Sequence, residues 1–329
     1  MKKYSFILLP LLAACGGSGD STPPKQPEPK PEGVVSIAIS DAPVDEVSSV
    51  VLQLDSIDLT LRYQGGYGEV VSLDLSERMV DLLQYQGEDA AWLVEDQSIP
   101  AGEYMAHLNV VDGSGDTGSY VEDGRGKHPL DIVQPRLPLG PITVVEGEAV
   151  SFTLDVELRN ALLFDEVRGF SLDVRGMRWV DNRYMGHLNG LVDEALLNDC
   201  EADHAGLAAG DGSFTHVVYL YPQGSAIETM DDMAPEAESG KVLPTATAPI
   251  FQMYNGNWRF QMGYLPEGDY QLGYTCLGHL DQPDTNEGTD SNFEIYDDGG
   301  AISIVRGANG GYNNNCQMGQ GGRRRGGRG

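Results

Sequence analysis

Asp112, Ser114 and Asp116 place oxygen donors at positions one, three and five of a stretch whose twelfth position is Asp123. Hard cations require clustered oxygens, and this spacing follows that of a calcium-binding helix-loop-helix loop, so calcium is the candidate cofactor. Two positions depart from the pattern. Thr117 stands where such a loop needs glycine, and Asp123 is shorter than the usual bidentate glutamate. A plain polar hairpin loop is the competing expectation. Asp281, Asp284, Glu287 and Asp290, and the pair Asp297 and Asp298, offer two further acidic places for the same ion. Tyr254 and Trp258 flank a Gly-Asn turn and are candidate platforms for a glycan, while Tyr219 and Tyr221 share one face of a strand. Against both stands ordinary packing, because aromatics fill the cores of small sandwiches.

The chain contains no G-x-S-x-G, no H-E-x-x-H, no P-loop and no G-x-G-x-x-G opening a helix. His107, His128, His187, His204, His216 and His279 are scattered, with no i, i+4 pair of the kind that holds a catalytic metal on a helix. The expectation is a non-enzymatic binding or surface-structural module. The alternative is an accessory subunit or enzyme of envelope glycan metabolism, working through a carboxylate pair that sequence order does not reveal.

Leu12-Ala13-Ala14-Cys15 follows Lys2-Lys3 and the apolar run Phe6 to Leu11, which together have the form of a bacterial lipoprotein signal peptide. Residues 1–14 would be removed and Cys15 diacylated on sulfur and acylated on its new amino group, palmitate being a typical chain. Gly16 rather than aspartate after the cysteine points to the outer membrane, and the lipid would be the contact with the membrane. Residues 15–32 carry five prolines and almost nothing to bury, so they form a tether reaching roughly 50 Å at about 3 Å per residue. The net charge of −29, more negative still without Lys2 and Lys3, argues against nucleic acid as a partner and leaves a glycan or an envelope protein. Once Cys15 is lipidated, Cys200, Cys276 and Cys316 remain for one disulfide and one odd thiol.

The elements that must position these groups are strands. Val35, Ile37 and Ile39 alternate with polar or small residues, as do Val150, Phe152, Leu154 and Val156 with Ser151, Thr153, Asp155 and Glu157. That pattern predicts half-buried antiparallel strands. From Ser49 to Arg62 the apolar phase is Val50, Leu52, Leu54 and then Ile57, Leu59, Leu61, so a bulge or sheet crossing is required near Asp55. Residues 76–97 are expected to hold a short helix or two. Pro100-Ala101-Gly102-Glu103-Tyr104 and Pro266-Glu267-Gly268-Asp269-Tyr270 repeat one turn device ahead of a strand. The fold class is all-β: two antiparallel β-sandwich domains in tandem, at 33–182 and 183–310, with a minor helix in the first. Residues 311–329 are a Gly/Arg-rich tail expected to be disordered.

Ser40-Asp41-Ala42-Pro43-Val44-Asp45 after one strand and before a long one resembles the opening of a bacterial lipoprotein family of unknown function. The resemblance extends through Asp81-Leu82-Leu83, Pro100 to Tyr104 and Val150 to Asp155, about residues 33–180, and implies no catalytic residues. The second half, through Trp258-Arg259-Phe260 and Leu265 to Tyr270, is similar to prealbumin-like or carboxypeptidase-regulatory-like sandwiches. That resemblance implies a disulfide between Cys200 and Cys276.

Overall fold

In a computed structural model, alternation becomes buried strand faces across most of the chain. The structure describes residues 30–42, 47–114, 117–234, 236–281, 292–307 and 313–319. In the first half the strands are β1 (Glu32–Ala42), β2 (Val47–Tyr63), β3 (Gly66–Leu73), β4 (Met79–Asp81), β5 (Ala91–Pro100), β6 (Gly102–Val111), β7 (Tyr120–Asp123), β8 (Gly126–Ile132), β9 (Arg136–Val144) and β10 (Ala149–Glu157). The helical turn α1 (Leu158–Ala161) leads to β11 (Leu162–Asp165), β12 (Gly169–Leu172) and β13 (Met177–Asp181). The second half contains β14 (Met185–Val192), helix α2 (Glu194–Asp203), β15 (Val217–Pro222), β16 (Ala246–Pro249), β17 (Phe251–Gln252), β18 (Trp258–Pro266), β19 (Gly268–Thr275), β20 (Asp297–Ile304) and β21 (Asn313–Met318).

One sheet of the first half has the order β13-β10-β1-β5 and faces a larger sheet, β11-β12-β8-β7-β2-β6-β9, with β3 and β4 also on β2. Val35, Ile37, Ile39, Phe152 and Leu154 from the first meet Leu52, Leu54, Ile57, Leu59 and Leu108 from the second. The second half packs β17-β18-β14-β21 against β16-β15-β19-β20 around Leu188, Phe260, Met262, Leu220 and Leu272. Inner faces interdigitating in this way make a β-sandwich. The fold is therefore all-β with minor helix.

The phase change in β2 is a bulge, with its register on β6 shifting between Leu54 and Ser56. Both turn devices close as tyrosine corners. The Tyr104 hydroxyl donates to the Pro100 carbonyl at 2.7 Å and that of Tyr270 to the Pro266 carbonyl at 3.0 Å.

Four expectations need correction, the first being the disordered tail from residue 311, since Asn313–Met318 form strand β21 on β14. Between 76 and 97 there is a short 3₁₀ turn, Leu82–Gln84, but Trp92, Leu93 and Val94 belong to strand β5. Leu93 and Val94 are both buried because β5 shifts register on β1 between Trp92 and Val94, and it shifts again between Val94 and Gln97, where Asp96 has a φ of 45°. The ten-residue helix lies instead in the second half, as α2, capped by the Asp193 side chain accepting from the Ala195 N–H. Finally, β10 is not half-buried at its C-terminal end, and its pairing with β1 is parallel. Thr153, Asp155 and Glu157 are buried because the second half covers them. Among the described residues no helix is long and apolar enough to cross a membrane.

Candidate functional site at the junction of the two halves

Ser40 and Asp41, near the end of β1, organise the loop that meets the second half. The Ser40 hydroxyl donates to the Asp89 carbonyl at 2.6 Å and to the Tyr85 carbonyl, which also accepts from the Asp41 N–H at 2.8 Å. The loop pinned by these bonds presents Gly87 and Glu88 to β18. The Tyr264 hydroxyl donates to the Glu88 carbonyl at 3.2 Å, and a Cβ on Gly263 would stand 1.7 Å from the Gly87 carbonyl oxygen. Only glycine allows that approach. Tyr264 itself has φ of 51°, a left-handed conformation that costs a bulky residue on the order of 1 to 3 kcal/mol, with its N–H on His187 Nδ1 at 3.3 Å.

Beneath this contact the strands bring carboxylates together. Parallel pairing sets Asp41 opposite Val156, between Asp155 and Glu157 in sequence, and antiparallel pairing sets Arg178 of β13 opposite Asp155. Arg178 Nε donates to Asp155 Oδ2 at 2.9 Å, and its Nη2 reaches the same oxygen. Glu157 extends into the second half. Its Oε1 accepts from the Thr247 hydroxyl at 3.0 Å and its Oε2 from the Thr247 N–H at 3.3 Å. Arg159 Nη1 adds a bond to the Gly278 carbonyl at 3.2 Å.

Asp41, Asp155 and Glu157 are 2%, 3% and 6% exposed. With Arg178, Thr247 and Gln261 they line a cavity of about 10 Å³, room for one water-sized sphere. Neither Asp41 carboxyl oxygen has a hydrogen-bond partner among the described residues, nor does Arg178 Nη1. Burial, then the charges of Glu157 and Asp155, push the Asp41 carboxyl well above its ordinary range. Burial and Asp155 raise Glu157 to about 7, against the two bonds from Thr247. Burial lifts Asp155 too, with Arg178 opposing. The arrangement can bind and release protons between two domains' worth of sheet, and it encloses too little space for a sugar ring.

The residues singled out by sequence lie elsewhere. Asp112 Oδ1 accepts from the Ile132 N–H at 2.8 Å, and the Ser114 backbone pairs with Thr117; Asp116 lies outside the described residues. Asp123 is held by Arg125 at 2.8 Å and by His128 at 2.9 Å. Burial alone would raise it, but these hydrogen bonds keep its carboxyl well below the usual range. In the second acidic stretch Asp281 accepts from the Tyr219 hydroxyl at 2.6 Å and the Met233 N–H, and Asp284, Glu287 and Asp290 lie outside the described residues. Asp298 accepts from Gln271 and from the Gly300 N–H. Tyr254 is fully exposed at its turn, whereas Trp258 packs against the second core.

Cys200 of α2 is bonded to Cys276, just after β19, with a Cα separation of 6.0 Å. His204 Nδ1 lies 3.8 and 4.0 Å from the two sulfurs. These are the three side chains whose ligand atoms fall within 4.8 Å of one another among the described residues, but the disulfide occupies both thiols. Cys316 on β21 is a half-buried free thiol. Cys15 and the arginine tail lie outside the described residues.

Residues 32–172, from the start of β1 to the end of β12, match the family model described as Domain of unknown function (DUF4382). Asp41, Asp155 and Glu157 fall inside the match, and Arg178 and Thr247 outside it. No curated protein matches the chain. Among solved structures, a leucine-rich repeat protein from Bacteroides thetaiotaomicron VPI-5482 is similar at 11% identity and a TM-score of 0.23, over 87% of this chain and 26% of that one. GBS52, the minor pilin of Streptococcus agalactiae, is similar at 11% identity and 0.17, over 86% and 94%. The fimbrial anchor protein Mfa2 from Porphyromonas gingivalis is similar at 8% and 0.16, over 84% and 98%. The chain spans about a quarter of the first of these and about a third of the Bacillus anthracis TIE protein. Likeness at this level carries no argument about function.

Proposed function

We propose that this chain is a cell-envelope lipoprotein, attached to the outer membrane through Cys15, whose two sandwiches form a non-enzymatic binding or surface-structural module. One observation carries the non-enzymatic part. The carboxylates with the raised pKa values that acid-base catalysis uses are buried between the halves around a cavity of about 10 Å³. A glycosidase needs its two carboxyl groups to flank a bound sugar, and binding clefts are on the order of 300 Å³ or more. Here the same electrostatics serve a joint rather than a cleft. Tyr254, fully exposed on its turn, supports glycan binding as the second reading.

The test has two readouts on one set of proteins. Labelled palmitate should enter the wild type and be lost in Cys15→Ala. The purified chain should release no reducing ends from envelope glycans. Turnover that disappears in Asp41→Asn with Glu157→Gln would replace the module with an enzyme. Palmitate incorporation unchanged by Cys15→Ala would remove the anchor.

A further inference from the structure

We propose that the junction between the two halves is a proton-operated clasp, in which protons held by Asp41 and Glu157 keep the second half seated on the first and their loss loosens it. The clasp needs neither lipid nor ligand, so it stands or falls separately from the envelope reading.

The geometry supplies the parts. Glu157 is the last residue of β10 and its carboxyl meets Thr247 of β16, so this acid lies across the joint rather than within one core. Asp41, one residue before the end of β1, has both carboxyl oxygens unpartnered in the same cavity. An ionised carboxylate in that position has lost its hydration for no more than the opposing pull of the nearby Leu158 N–H, a cost that binding a proton removes. The charged groups acting on the pair are mostly of one sign. From β10 come Asp155 and Glu157, from the end of β4 Asp81, and from β13 the guanidinium of Arg178, which is already engaged by Asp155. From β14 His187 acts on Asp155, and from β18 come the polar Gln261 and the phenol of Tyr264, the latter near Asp155, Asp89 and Glu88. Four carboxylates, Asp41, Asp81, Asp155 and Glu157, against the one guanidinium of Arg178 leave an excess of negative charge that protons relieve.

A metal fits less well. Arg178 Nη1 faces the cavity as an unpaired donor, and the carboxylate oxygens of Asp41, Asp155 and Glu157 do not converge within 4.8 Å as a group.

The sign follows from linkage. The Glu157 carboxyl sits at about 7 in the folded chain against 4.5 ordinarily, so the folded state binds the proton more tightly than the unfolded one. Its stabilisation is complete below the ordinary carboxylate value and is lost as pH rises through about 7. Asp41 moves in the same direction. Scanning calorimetry of the full chain should show Tm falling by roughly 5 °C between about pH 5 and about pH 9 on this account. One transition at the lower pH should separate into two at the higher, as the halves uncouple. Asp232, raised to about 7 by burial and by Asp281, adds its own slope, so the clasp is read as the difference between wild type and variant.

In Asp41→Asn and Glu157→Gln the fall in Tm should shrink and the single transition should persist at both pH values. If Glu157→Gln does not fold, Asp41→Asn and the proton release on unfolding, measured in buffers of different ionisation enthalpy, carry the test. Wild type and Asp41→Asn with the same pH slope, the same transitions and the same proton release would overturn the clasp. A Tm increase at the higher pH with millimolar calcium, absent in Asp41→Asn, would also overturn it, in favour of a cation in the same cavity.

Discussion

Gly263 shows how closely the halves approach, because the Gly87 carbonyl oxygen occupies the space that any Cβ would need. Gly263→Ala should lower stability by about 2 to 3 kcal/mol, the upper end for overpacking, since the obstacle is backbone rather than a movable side chain. Urea unfolding checks this, with Gly206→Ala as the control because nothing stands within 4 Å of its Cβ position. Equal midpoints for the two variants would show that the joint yields freely. The sequence marked Ser40-Asp41 through its family resemblance but gave those residues no task. Glu157 and Asp155 were visible only as the polar phase of a strand, which normally faces water. Thr247, the partner of Glu157, lies 90 positions from it, and no local period records so distant a cover. The one available signal was chemical: two acids two positions apart closing a strand whose other residues suit a core.

Turn chemistry and phase proved far more legible in the strands and their connections. Proline, glycine and tyrosine at fixed offsets gave two turns, and the structure adds the hydroxyl bond that makes each a corner. Tyr104→Phe and Tyr270→Phe should each cost about 1 kcal/mol, the net worth of a hydrogen bond whose acceptor is left partly buried. Separate denaturation midpoints for the two variants measure it, and a loss below about 0.3 kcal/mol in both would make the bonds incidental. The flip at Asp55 was readable because a period of two admits one remedy for a slipped register, an extra residue. β5 was not readable for the opposite reason. A register shift between Trp92 and Val94 puts Leu93 and Val94 both inside, and the lost alternation then suggested a helix. The capped start of α2 was present in Asp193-Glu194-Ala195, but its apolar stripe is short, with Leu197 and Cys200 its buried residues.

Taken whole, the chain couples a large negative charge to two cores that meet through a polar seam. At a net charge of −29, self-repulsion opposes compactness and is screened by salt. Tm should therefore rise between about 10 mM and about 200 mM NaCl, more at high pH than at low. A Tm independent of salt at both extremes would show that surface repulsion contributes nothing measurable. One pairing has a mechanical consequence. β21 lies parallel to β14, from His187 against Asn313 to Val192 against Met318. Tension applied between the N-terminal side of β14 and the C-terminal side of β21 would pull these neighbours along their length in opposite directions. Their inter-strand bonds would then bear the load together as shear instead of parting one by one as in a zipper, so the β14–β21 pair is the part of the second sandwich best placed to resist force.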